Sequence, residues 1–260
     1  DSLNLLYNND WRSEELLSFL EEKAQRMLSW LESISFVNGD IPMLQDSSSR
    51  IAPTTFEIIQ YAKDLGIKWS SQRQISDSGY RKLSAGSVEM VVNIGHISPS
   101  YQPGHAHADE LNFVVHSNGK PVIVDTGIST YEKNTRRQEE RSTNAHNCIT
   151  VNAQNSSSVW GGFRVAERAK VKVLEDAKGN ISAEHSGYER LGATIKRSFM
   201  LDNNQVQIED FIQMEKGNKG DTNLNLHFHP NVRVKIEQNT IFVDNLKIAL
   251  EGFHSVELED

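Results

Sequence analysis

After Gly66 the apolar residues stop recurring at helical spacing, and this loss constrains the fold more than any other feature of the chain. Short apolar runs take over at 88–95, 111–117, 121–125, 147–152, 163–174, 193–201, 205–213, 223–229, 232–237 and 240–250. Turn-forming clusters such as Ser117-Asn118-Gly119, Lys178-Gly179-Asn180 and Asp202-Asn203-Asn204 separate them. So many closely spaced runs predict an antiparallel β-sandwich. Ahead of Gly66 the pattern is helical. Residues 13–34 place Leu16, Leu20, Met27, Leu31 and Ile34 among apolar positions at helical spacing, with Glu14 and Glu15 in the first turn, where they complement the helix dipole. Thr54-x-x-Glu57 is a capping box opening a second helix, with Gly66 as its stop. The predicted class is therefore mainly β, an antiparallel β-sandwich preceded by two helices.

At 260 residues the chain can bury a full core. No apolar run approaches the roughly 20 residues needed to span a bilayer, so no membrane insertion is expected. A net charge of −8 argues against a nucleic-acid partner. Its distribution is uneven, because residues 132–172 carry eight Lys/Arg against four Glu. That excess suits a basic cleft holding an anionic sugar chain, or a solvated mixed-charge loop. The single cysteine, Cys148, excludes an internal disulfide and fits a buried strand residue. The chain begins Asp1-Ser2-Leu3 with no signal peptide and no Met, which suggests a processed or excised piece.

Chemistry concentrates between residues 104 and 147. Gly104-His105-Ala106-His107-Ala108-Asp109-Glu110 puts two histidines two residues apart, on one face of an extended strand. Asp125 ends the second apolar run beyond them, and His146 precedes the third. Neighbouring strands can bring these side chains to one point, and imidazoles with a carboxylate suit a divalent transition metal, zinc first. Nine histidines in 260 residues also produce one His-x-His by chance, so the pair alone is a weak signal. A second pair, His227 and His229, has no carboxylate placed nearby and reads as structural.

The stretch from His105 to Gln154 resembles the C-terminal region of the heparinase II/III-like polysaccharide lyases. The resemblance is carried by the paired-His segment, Asp125-Thr126-Gly127, Tyr131, and Arg141-Ser142-Thr143-Asn144-Ala145-His146-Asn147 before a strand. Gly39-Asp40-Ile41-Pro42, through Asp46 to Ile51-Ala52-Pro53, looks like the end of that family's helical domain. The resemblance implies an N-terminal α/α toroid, of which residues 1–75 are the last remnant, and a β-sandwich over 76–260.

It also implies β-elimination on a uronic-acid polysaccharide by a bacterial periplasmic or secreted enzyme. A base removes the C5 proton while the C4 oxygen leaves, and the neighbouring carboxylate must be neutralised. The catalytic tyrosine and the neutralising residue belong to the toroid. Tyr7 and Tyr61 match no family motif, so this chain alone is expected to be inactive. His105 matches the active-site histidine of the sandwich. His107, Asp125 and His146 match the ligands of one structural zinc. Tyr131 is a candidate to stack on or hydrogen-bond a sugar. Arg141 can pair with a carboxylate or sulfate, or brace its loop through backbone carbonyls. Asn147 is expected to satisfy backbone groups at a strand start, Asp109 to orient a histidine or cap the turn, and Trp160 to pack in the core or offer a stacking face. Two other readings remain: a non-catalytic carbohydrate-binding sandwich with zinc as a staple, and a metal-dependent hydrolase. A hydrolase would yield reducing ends, and a lyase an unsaturated uronide.

Overall fold

The computed structural model describes residues 1–10, 13–70, 78–99, 101–202, 205–218, 220–244 and 246–258. The expected domain boundary at 75/76 lies outside them.

The helical part opens with α1 (Ser2–Tyr7), which has no sequence-level expectation behind it. Helix α2 (Glu14–Ile34) starts where Ser13 accepts the Leu16 N–H, satisfying one of the orphan donors of the first turn. Its apolar face is only partly covered. Leu28 and Ile34 are buried, whereas Leu16, Phe19 and Met27 remain exposed. Helix α3 (Thr55–Asp64) begins in the expected capping box: the Thr54 side chain takes the Glu57 N–H and the Glu57 carboxylate returns to the Thr54 N–H. It stops at Gly66, whose φ of +73° suits glycine.

Two antiparallel four-stranded sheets follow. The first has the order β1 (Tyr80–Ala85), β2 (Val88–Asn93), β3 (Phe113–Ser117), β4 (Lys120–Ile123). The second comprises β8 (Val171–Ala177), β9 (Asn180–His185), β10 (Ala193–Asp202) and β11 (Gln205–Met214), each paired with its sequence neighbour. Their inner faces share one core. Met90, Val92, Phe113 and Val115 from the first sheet meet Ile181, Ala183, Phe199 and Leu201 from the second. Burial along β10 alternates strictly, as a strand with one face inward requires. Smaller pairs complete the molecule: β5 (Ile149–Val151) with β12 (Thr222–Leu224), β6 (Val159–Trp160) with β7 (Arg164–Val165), and a meander of β13 (Val234–Glu237), β14 (Thr240–Val243) and β15 (Leu246–Ala249).

The expected mainly-β class with antiparallel sheets is what folds. Three local expectations need correction. A short helix, α4 (Thr135–Glu140), interrupts the β region, capped by Asn134 accepting from Arg137 N–H. Strands β1 and β9 were missed. Two runs are not single strands: 163–174 is β7, a connection and β8, and 240–250 holds both β14 and β15.

Candidate functional site

Four segments converge on the site: the α2–α3 connection, the long loop 94–112 that feeds β3, the segment after β4, and the residues before β5. His105 and His107 do not lie on a regular strand as expected; they sit in the 94–112 loop. They nevertheless reach one group. Asp46, from the α2–α3 connection, contacts His105 Nδ1 through Oδ2 at 2.8 Å and His107 Nε2 through Oδ1 at 2.8 Å. Arg137, on α4, donates to both oxygens of the same carboxylate. Burial opposes ionisation of Asp46, but hydrogen bonds from His107, Arg137 and His105 hold it well below the usual carboxylate range. An ionised carboxylate can only accept, so each histidine turns an N–H toward Asp46. His105 turns Nε2 away from Asp46, on a side chain that is 58% exposed. His107 keeps Nδ1 as a lone pair, on a side chain that is fully buried. Burial pushes the His107 imidazole down to about 4, against the pull of Asp46, so it is neutral.

His146 mirrors this arrangement. Its Nδ1 is 2.8 Å from Asp125 Oδ2, with both side chains fully buried. Asp125 also accepts from Asn112 Nδ2 and from Gly127 N–H. Burial opposes its charge, but His146 holds it below its ordinary value. The rings of His107 and His146 lie 5.2 Å apart between centroids, tilted by 40°. His107 Nδ1 and His146 Nε2 are both buried with no hydrogen-bond partner. Buried ring nitrogens without partners are costly; His107 would offer a cation a lone pair there, and His146, whose imidazole Asp125 holds above its ordinary value against burial, would offer one on giving up its proton. Each histidine already has a carboxylate on its other nitrogen, the arrangement that orients metal-ligating imidazoles. Among the described residues, however, no group of three or more His, Cys, Asp or Glu side chains is arranged to hold a metal ion. Asp125 faces His146 Nδ1, so in this geometry it is the outer partner of a histidine rather than a third ligand beside two orphaned nitrogens.

Around this centre the polar groups are closed off. Asp109 is buried, contacts Asn93, and is pushed up to about 7 by burial, with Asp125 and Glu110 adding to the shift. Glu110, also buried, takes hydrogen bonds from the Ser156 and Ser157 hydroxyls. Asn147 bonds the carbonyls of Phe113 and Val124 and accepts from His227 N–H, tying three segments together. His227 donates to the Asn144 carbonyl through Nε2, and His229 Nδ1 accepts the Asn231 N–H. Arg197, on the inward face of β10, pairs with Asp210 and donates to the carbonyls of Leu111 and Asn147 from across the sandwich.

The sequence comparison gives a family for this geometry. The family described as Heparinase II/III-like, C-terminal, matches residues 70–252. The chain belongs to the heparinase II/III-like C-terminal family. Solved structures share its fold. It is similar to a heparinase III gene product at 19% identity and TM-score 0.65, covering 88% of this chain and 37% of that one. It is similar to the heparan sulfate lyase HepC from Pedobacter heparinus at 18% identity and TM-score 0.60, covering 83% and 36%. A further heparinase III structure matches at 18% identity and TM-score 0.59, covering 88% and 40%. The chain thus spans well under half the length of these structures. A search of curated proteins gives no match. None of the described helices is long and apolar enough to cross a membrane.

Within this heparinase II/III-like domain, Tyr131 stands where a ligand could meet it. It is 50% exposed, edge-on to His105 at 6.2 Å and stacked on Phe163 at 5.8 Å. Of the two roles open to Arg141, the geometry fits the brace. Its side chain is fully buried and donates to the carbonyls of Ala106, Trp160 and Arg164. It braces the loop. Sequence reasoning missed Arg137 entirely and noted Asp46 only as part of a family-like stretch. Arg137 is wholly buried, with its guanidinium 5.2 Å from the Tyr131 ring and 5.6 Å from the Phe163 ring.

Proposed function

We propose that this chain supplies the sandwich-borne part of the active site of a polysaccharide lyase that cleaves a uronic-acid-containing polysaccharide by β-elimination. The observation carrying this reading is His105, an exposed imidazole pinned by Asp46 with its second nitrogen free. In β-elimination the C5 proton goes to a base and the C5 electron pair forms the C4–C5 double bond. The C4–O bond breaks, and the leaving oxygen takes a proton. A neutral His105 with Nε2 open is suited to accept or relay a proton at that bond, and Asp46 stabilises the imidazolium that results. Tyr131 borders the same space. The exposed Lys133 nearby favours an anionic chain. The remaining machinery, a tyrosine and a group neutralising the uronate carboxylate, is assigned to a helical domain of the complete protein. A polymeric substrate also favours a periplasmic or secreted location.

The fit of a metal is the second part of the reading. His107 and His146 would hold zinc through their unpartnered nitrogens, with Asp46 and Asp125 orienting the two rings from their other nitrogens. Held there, zinc would tie together the segments under the cleft rather than act in the chemistry, because elimination adds no water for a metal to activate. Elemental analysis of wild type beside His107→Ala tests it. One zinc per chain, absent in the variant, is expected; no metal in folded wild type removes it.

The activity test is to incubate the complete protein with uronate polysaccharides and follow near-ultraviolet absorbance. An unsaturated product is expected. Reducing ends without that absorbance would turn the reading into a hydrolase, and affinity without product would turn it into a binding module.

A further inference from the structure

We propose that the β6–β7 hairpin is a distal sugar subsite, where Trp160 stacks on a pyranose ring and Arg164 and Lys133 take its carboxylate or sulfate. The proposal rests on the lyase reading above and places a second contact with the same anionic chain away from the bond being cleaved.

The hairpin is only two residues deep on each side, with Trp160 paired to Arg164. Its turn uses Gly161 at φ +58° and Gly162 at φ +79°. A side chain on Gly162 would meet Lys133 Cγ at 3.2 Å, so Lys133 lies against the turn. So short a ribbon is not stable by itself. Here it is held from beneath by two fully buried arginines: Arg141 donates to the carbonyls of Trp160 and Arg164, and Arg137 to that of Gly162. Gln138 adds a 2.7 Å bond to the Val159 carbonyl. This support fixes the backbone and leaves the side chains outward. Trp160 is 47% exposed, with the Arg164 guanidinium 4.7 Å from its ring centroid. A cross-strand cation–π pair would stabilise a hairpin anywhere. It does not account for the unused donors. Among the described residues, the Trp160 indole N–H, the Arg164 guanidinium and the Lys133 ammonium have no hydrogen-bond or ion-pair partner.

An exposed aromatic ring on a rigid backbone, beside three unengaged donors of which two are cationic, matches an anionic sugar. The apolar face of a pyranose stacks on the indole, and a carboxylate or sulfate takes two parallel N–H bonds from the guanidinium. Rigidity lowers the entropy cost of binding. Position identifies the occupant. Phe163, inside the same hairpin, stacks on Tyr131 at 5.8 Å, and Tyr131 lies 6.2 Å from His105. A polysaccharide crossing His105 and Tyr131 therefore runs over Phe163 toward Trp160.

Oligosaccharides of two and six residues, one series heparan-type and one alginate-type, would be titrated into the complete protein by calorimetry and tryptophan fluorescence. Wild type is expected to bind the hexasaccharide about tenfold more tightly than the disaccharide, as one added charge-assisted contact allows, with a change in tryptophan emission. Trp160→Ala and Arg164→Gln should each erase that gain while disaccharide affinity stays at the wild-type value. The two series separate the sources: loss in the heparan-type series alone assigns sulfate to Arg164, and loss in both assigns carboxylate. If either variant binds the hexasaccharide as wild type does, or if wild type shows no dependence on length, the subsite is wrong and the lyase reading stands. If wild type binds neither series at any length, the substrate class itself fails and the subsite fails with it.

Discussion

Asp46 gives one carboxylate to two histidines and an arginine, and each contact uses its ability to accept without donating. Asp46→Asn keeps the shape but offers one oxygen and one NH2, so at least one histidine faces a donor and must turn or change tautomer. A loss of about 10- to 100-fold in activity is expected, carried by kcat rather than KM, together with weaker zinc retention because His107 loses its orienting partner. His105→Ala should abolish turnover while leaving zinc content unchanged. Loss of metal from His105→Ala would merge two roles that the geometry separates. His105, His107, Asp125 and His146 drew attention through the His-x-His pair and the family resemblance, and the fold brings His107, Asp125 and His146 close together although the pair sits in a loop rather than on a strand. Asp46 was not legible, since an aspartate 59 residues from His105, in a polar connection, carries no local signal. Arg137 was hidden in a run of charges, and Arg141 kept two open roles until its burial showed three carbonyls around it.

Elements were readable in proportion to how many periods they display. Helix α2 has 21 residues and α3 has a capping box, so both were legible at their starts. Helices α1 and α4 have six residues each, too few for an apolar period to repeat. Strand β1 buries only Leu83, and β9 buries Ile181, Ser182, Ala183 and His185, so neither shows a clean period-two pattern. Tertiary pairing rather than local propensity makes them strands. Thr54→Ala should cost about 1 kcal/mol in urea unfolding by removing the cap of α3. Arg197→Met on β10 should cost about 3–5 kcal/mol, since it strands Asp210 and leaves two inter-sheet carbonyls unbonded. Additivity with changes at Asn147, whose carbonyl Arg197 holds, would argue against the cross-sandwich link.

The molecule as a whole carries histidines that folding keeps neutral. Burial pushes His116 down to about 4, where it stacks on Phe36 at 3.6 Å, and burial beside Arg197 pushes His185 down to about 3. The unfolded chain takes up these protons near pH 6.5 and the folded chain does not. The share of stability contributed by these two histidines is therefore full above about 6.5 and is lost as pH falls toward 4, opposed by Asp109, whose raised carboxyl favours folding as it takes up a proton. Thermal melts across that range should show the decline, and His185→Gln should flatten it; an unchanged slope would place the effect elsewhere. The mainly-β class was visible from the run spacing, whereas the meeting of helical and sandwich segments was not, because it depends on contacts distant in sequence. That meeting has a consequence for how the site comes into being. A sandwich formed before the helical segment docks holds His105 and His107 with their ring protons unassigned and Arg137 facing an empty carboxylate position. Arrival of Asp46 settles both tautomers and neutralises the arginine in one event. Docking of the helical segment on the sandwich is then what completes the site, since neither part alone holds Asp46, His105 and Arg137 together.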